Sequence, residues 1–85
     1  HYVTDKDEEM AAVRPSHRAF NGRLADEGRL LAAGPYVGTH DALIVVRADD
    51  EAGALALLEE DPFHQAGYIN ERIPREWNPV IGVLA

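Results

Sequence analysis

A histidine and an aspartate, far apart in the chain, are the residue types that general acid–base chemistry requires. His17 precedes Phe20 by three residues and Leu24 by seven, so the three side chains share one face of a helix. Asp61 follows Ala54 by seven residues, at the end of a second apolar stripe. A carboxylate beside an imidazole fixes its tautomer and stabilises its protonated form, which suits proton transfer near neutral pH. We therefore predict a His–Asp pair where the two helices pack together.

Each of these residues also has a simpler explanation. Asp61 stands before Pro62 and shortly before Gly67, which is typical of the N-cap of a short helix. His17 can equally be a histidine at the edge of the core that bonds a backbone carbonyl. The two roles of Asp61 are compatible because a carboxylate has two oxygens. Ser16 cannot complete a Ser-His-Asp triad, since neighbouring helical side chains point about 100° apart.

The other chemistry-bearing residues predict no cofactor and no metal site. His40 and Asp41 fit a solvated turn, and His64 stands alone, so no metal-ligand set is recognisable. The chain has no nucleophile elbow, phosphate-binding loop or dinucleotide fingerprint. Tyr36, in the glycine-rich segment 34–40, can close a pocket, although the segment also fits a hairpin connection.

Composition predicts one small globular domain and excludes several classes of function. The 85 residues are 46% hydrophobic and contain no cysteine, which rules out disulfides and thiolate catalysis. A net charge of −7 disfavours nucleic acid as a partner. No apolar run approaches the roughly 20 residues of a membrane span, so we expect a soluble, cytoplasmic protein. Arg14 is positioned either to steer an anionic substrate or to pair with an acidic neighbour.

Hydrophobic patterning and the positions of Gly and Pro predict the order β-α-β-β-α-β. The predicted elements are a strand end over 1–4, a helix from Pro15 to Asp26 or Glu27, strands over 29–35 and 42–48, a helix over 51–60 capped by Asp49 or Asp50, and a strand over 68–77. Residues 5–13 are predicted as a loop with a short helical turn, and 62–67 as one more turn. This order is the ferredoxin-like α+β pattern, with two helices on one face of an antiparallel sheet. A second copy can cover the other face.

Three segments, RPSHRAF (14–20), EGRLLAAGP (27–35) and DPFHQAG (61–67), together resemble the YCII-related (YciI-like) domain family over nearly the whole chain. The resemblance implies a single domain over 1–85 whose subunits pair through their sheets as a dimeric α+β barrel. It also implies a pocket that holds a His–Asp pair, here His17 and Asp61, beside a loop that contains Gly34 and Pro35. The family's opening strand precedes the first residue of this chain, so we expect that strand to be truncated.

These observations predict a small, cofactor-independent enzyme that transfers a proton on a small organic molecule, as a lyase or isomerase does. His17 and Asp61 are the predicted catalytic residues. The residues expected at the substrate are Arg14, Gly34, Pro35 and Tyr36. The expected partners are a second copy of the chain and a small-molecule ligand, with neither nucleic acid nor membrane. Alternatives are a non-catalytic dimeric module that binds small molecules or assists another enzyme, and a purely structural dimer.

Overall fold

A computed structural model, which describes all 85 residues, has three helices and a two-stranded antiparallel sheet. The elements are α1 (Asp7–Asp26), β1 (Leu30–Pro35), β2 (Ala42–Val46), α2 (Glu51–Leu57) and α3 (Pro62–Gln65). The predicted α+β class is confirmed, with helices and an antiparallel sheet in one chain. None of the helices combines the length and the apolar character that a membrane crossing requires.

The first helix is longer than predicted. It begins at Asp7 and runs for 20 residues, so Pro15 lies inside it and not at its first position. The predicted loop before Pro15 was therefore wrong. Three acidic residues in the first turn complement the helix dipole, and Met10 is buried, so the first two turns are stabilised at both their polar and apolar positions. These contributions offset a proline in the helix interior, which costs about 3 kcal/mol.

The two strands form a hairpin next to α1. They pair in a register that runs from Pro35 opposite Ala42 to Leu30 opposite Val46, with one irregularity close to Leu30. The glycine-rich segment 34–40 ends β1 and enters the hairpin loop. The hairpin therefore places the end of β1 beside the helix that contains His17.

The core lies where α1 crosses the hairpin. Its buried cluster is Phe20, Leu24 and Leu30, packed against Ile44, Val46, Leu57 and Leu58. Met10, seven residues before His17, is buried as well, and Leu24 is seven residues after it. Because seven residues are close to two helical turns, His17 lies in the middle of the buried stripe of α1.

The second predicted helix divides into two short ones. Helix α2 ends at Leu57, so the expectation that it continues to Asp61 was wrong. Its predicted start is correct, because the amide of Gly53 donates to Oδ1 of Asp50 at 2.7 Å. Pro62 disfavours helical geometry at the residue before it, and Asp61 instead begins α3 as its N-cap.

The first and last predicted strands meet at only one point. Tyr2 and Ile69 form an isolated antiparallel bridge, flanked by a 2.9 Å bond from the Val3 amide to the Tyr68 carbonyl. The rest of the strand predicted over 68–77 does not form, and no backbone hydrogen bond involves residues 72–81. A strand needs a neighbouring backbone to pair with, and β2 pairs only with β1.

Candidate active site

The structure brings His17 and Asp61 into direct contact. Nδ1 of His17 lies 2.7 Å from Oδ1 of Asp61, across 44 residues of sequence. The aspartate side chain is 2% exposed and the histidine side chain 14%. Helix α1 packs against α3, so the contact forms at the start of α3 and not at the end of α2, where the sequence placed it.

One oxygen of Asp61 has two hydrogen-bond donors. Oδ1 accepts from the Phe63 amide at 2.9 Å as the N-cap of α3, and the same atom contacts the His17 ring. The predicted compatibility of the two roles is therefore met on one oxygen and not on two. An ionised carboxylate can only accept, so Nδ1 of His17 carries the proton of this bond and Nε2 is the nitrogen that Asp61 leaves free.

Aromatic packing holds the imidazole in this orientation. The His17 ring stacks on Phe63 with centroids 4.0 Å apart and planes 10° apart. Phe63 in turn meets the edges of Tyr2, at 5.7 Å, and Tyr68, at 6.3 Å. Rotation of the imidazole would break both the stack and the bond to Asp61, so the ring is positioned by two independent contacts.

Asn21 is a site residue that the sequence analysis missed. Its Nδ2 lies 3.3 Å from Nε2 of His17, four residues away on the same helix. With the ring proton on Nδ1, Nε2 accepts this bond, and both neighbours of the ring then favour the same tautomer. Oδ1 of Asn21 is the single buried side-chain nitrogen or oxygen atom in the chain without a hydrogen-bond partner. The i, i+4 spacing from His17 was the available signal.

His17 lines a cleft of about 600 Å³ between α1 and the end of β1. Three residues predicted at the substrate, Arg14, Gly34 and Pro35, line the same cleft. Gly34 and Pro35 are the last two residues of β1 and not part of a loop. Tyr36 instead lines a separate hollow of about 750 Å³, bounded by β2, α2 and the chain from Ile69 to Trp77.

Tyr2 lies at the edge of the His–Asp pair. Its burial raises the pKa of the phenol, and the nearby Asp61 charge raises that pKa further. Tyr2 therefore stays neutral over the range in which a histidine titrates, and it adds an apolar ring beside the imidazole without adding charge. Its ring lines the cleft together with that of Phe63.

The other histidines form separate surface contacts. Nε2 of His40 lies 3.2 Å from Asp7, and Nε2 of His64 lies 3.2 Å from Glu59. The hydrogen bond from His64 is the largest cause that lowers the pKa of Glu59. No three His, Asp or Glu side chains lie close enough together to hold a metal ion.

Fold and site together define a small α+β domain that holds a buried carboxylate against an imidazole at the side of a cleft. The chain belongs to the YCII-related domain family, whose model matches residues 1–78. The resemblance seen in the three sequence motifs is thereby confirmed. A comparison with curated proteins found no match.

Proposed function

We propose that the protein is a small enzyme that moves a proton on a small organic molecule, in the manner of a lyase or isomerase. His17 is the general acid–base and Asp61 is its orienting partner. The observation that carries the proposal is the 2.7 Å contact between a 2%-exposed carboxylate and an imidazole that lines a cleft. Surface His–carboxylate pairs, such as His40 with Asp7, lack that burial.

The geometry supports a simple sequence of proton movements. The Asn21 amide first gives up its 3.3 Å bond to Nε2. Nε2 then takes a proton from a C–H or O–H group of the bound molecule, while Nδ1–H continues to donate to Asp61. The imidazolium that forms is stabilised by the adjacent carboxylate. Nε2 then returns the proton to another atom of the same molecule, which is an isomerisation, or to a departing group, which is an elimination. The walls at Arg14, Gly34 and Pro35 hold the molecule during these steps.

Deuterium exchange tests proton transfer before the overall reaction is known. Small enolisable ketones, lactones and their carboxylated analogues are incubated with the protein in D₂O, and loss of the ¹H NMR signal beside the carbonyl is followed. We expect exchange above the buffer rate, reduced about 100-fold or more in His17→Gln. Ser16→Ala is the matched control, since Ser16 is an exposed neighbour on the same helix. Equal rates for His17→Gln and the parent protein, with equal melting temperatures, would contradict the proposal.

We also propose the finer β-α-β-β-α-β topology and a homodimer that pairs through the sheets. The Tyr2–Ile69 bridge supports the topology because it joins the first and last predicted strands. Exposed apolar side chains support the dimer, since Leu43, Ile73 and Trp77 are all more than half exposed and line one hollow.

Sedimentation equilibrium tests the dimer. We expect the parent chain to sediment as a dimer and Trp77→Glu to sediment as a monomer, because a charge on a buried apolar interface remains unpaired. Val83→Glu, at a fully exposed position that does not line the hollow, is expected to stay dimeric. A parent chain that remains monomeric at high concentration would exclude the assembly.

A further inference from the structure

Two arginines in the chain are partly buried, and they differ in their partners. Arg72 donates to the Leu55 carbonyl at 3.2 Å and pairs with Glu59 at 3.2 Å. Arg14 is similarly half-buried, but its side chain has no hydrogen bond and no carboxylate within 4.0 Å. Arg14 lines the cleft beside His17. A half-buried guanidinium keeps its charge at all relevant pH values, so its donors remain available to a molecule in the cleft.

The other charged groups of the cleft also differ in whether they have partners. Its two carboxylates each contact an imidazole, Asp7 with His40 at 3.2 Å and Asp41 with His1 at 2.8 Å. Arg18 also lines the cleft and, like Arg14, has no ion pair. The two guanidinium groups that line this cleft are therefore without a carboxylate partner, although the chain as a whole carries −7.

The spacing on α1 allows one molecule to reach both the guanidinium and the imidazole. Arg14 precedes His17 by three residues and Arg18 by four, so the Arg14 side chain is a neighbour of each of the other two on the helix surface. A cleft of about 600 Å³ is within the range of small-molecule sites. Asp7 and Asp41 also line the cleft, and their carboxylates repel multiply charged anions, which favours a ligand with a single negative charge.

We propose that the cleft binds a small monocarboxylic acid, whose carboxylate pairs with the guanidinium of Arg14 while the reacting part of the molecule lies against Nε2 of His17. The assignment of the reacting part rests on the proposed function, but the carboxylate subsite does not. Arg14 has the fork geometry that binds a carboxylate through two parallel bonds. Arg18, which is exposed, adds attraction at the rim.

Benzoate, benzamide and phenyl phosphate are suitable probes because they share one ring and differ in charge. Each is titrated into ¹⁵N-labelled protein in 0.15 M NaCl, and the ring resonances of His17 and the Nε–H resonance of Arg14 are followed. We expect benzoate to shift both signals saturably, with an affinity at least about tenfold above that of benzamide. Arg14→Gln is expected to abolish that preference. Arg29→Gln, at an exposed arginine outside the cleft, is the matched control and is expected to retain it.

Each outcome decides the proposal. Equal affinities for benzoate and benzamide would overturn it, and so would an unchanged preference in Arg14→Gln. The absence of a saturable shift at about 20 mM benzoate would also overturn it, because weaker binding does not define a site. Tighter binding of phenyl phosphate than of benzoate would overturn the carboxylate class. Failure of the proposed function would give a different result from failure of the carboxylate subsite. Benzoate would still bind through Arg14, while the parent protein and His17→Gln would exchange deuterium at equal rates.

Discussion

The corner between α1 and α3 and the C-terminal segment 71–85 are both rich in large apolar residues, yet only the corner buries them. Phe63 is 4% exposed, whereas Trp77 is 59% exposed and Val83 fully so. The corner residues have partners distant in sequence, the His17 ring among them, while no residue from 72 to 81 makes a backbone hydrogen bond. Apolar composition alone therefore does not bury a segment, because it also needs a complementary face or backbone.

The largest expected effect comes from truncating one large aromatic in each region. Phe63→Ala removes a buried ring that supports His17, Tyr2 and Tyr68, so we expect unfolding to become easier by about 4 kcal/mol. Trp77→Ala removes an exposed ring from a single chain, and we expect a change below about 1 kcal/mol at concentrations where the chain is monomeric. Urea unfolding followed by circular dichroism measures both. Similar losses for the two variants would remove the distinction between the regions.

A smaller effect is expected at the two aspartate helix caps. Asp61→Ala removes a cap and the bond to His17 at a buried position, and we expect a loss of about 3 kcal/mol. Asp50→Ala removes only the exposed cap of α2, with an expected loss of about 1 kcal/mol. The same urea titration compares them. The double variant His17→Gln, Asp61→Ala tests whether the two residues are coupled. If its loss of unfolding free energy equals the sum of the losses in the two single variants, they are energetically uncoupled.

The smallest expected effect concerns Tyr2, which contacts Phe63 in the corner and bridges Ile69, two residues before the C-terminal segment. Burial raises its pKa above the usual 10.0, so the stability gained from burying a neutral phenol is fully present below pH 10 and is lost as pH rises through the folded pKa. We expect urea midpoints to fall more steeply between pH 9 and about 11 in the parent than in Tyr2→Phe. Tyr36→Phe, at a half-exposed tyrosine, is the control and should follow the parent. Equal slopes for the parent and Tyr2→Phe would show that Tyr2 is not buried in solution.

The elements with a local cause were predictable from sequence. The hairpin strands follow from apolar runs next to Gly and Pro, and Asp50 caps α2 as its position indicates. The start of α1 was not predicted, because Pro15 fits a first helical position, whereas the acidic first turn and buried Met10 before it extend the helix to Asp7. Tertiary packing overrides a single unfavourable residue when a whole helix face is buried.

The elements that depend on a distant partner were less predictable. The period-two pattern after Tyr68 is real, but a pattern cannot specify which backbone pairs with it, and only Ile69 forms a bridge. For the site, spacing predicted the faces of His17 and Asp61. It placed Asp61 on the wrong helix. It put Asn21 one turn from His17, but the contact itself depends on the rotamers of two side chains, which spacing does not specify.

The shared oxygen of Asp61 has a consequence for how relatives of this chain diverge. Because the atom that contacts His17 also caps α3, the aspartate stabilises the fold whether or not the imidazole transfers a proton, and we expect relatives to retain it. The His17 side chain bonds no backbone group, so in a relative without the proposed chemistry we expect the histidine to be replaced before the aspartate. Within the family, a retained aspartate beside a replaced histidine would mark a domain that has kept its fold and lost the proposed proton transfer.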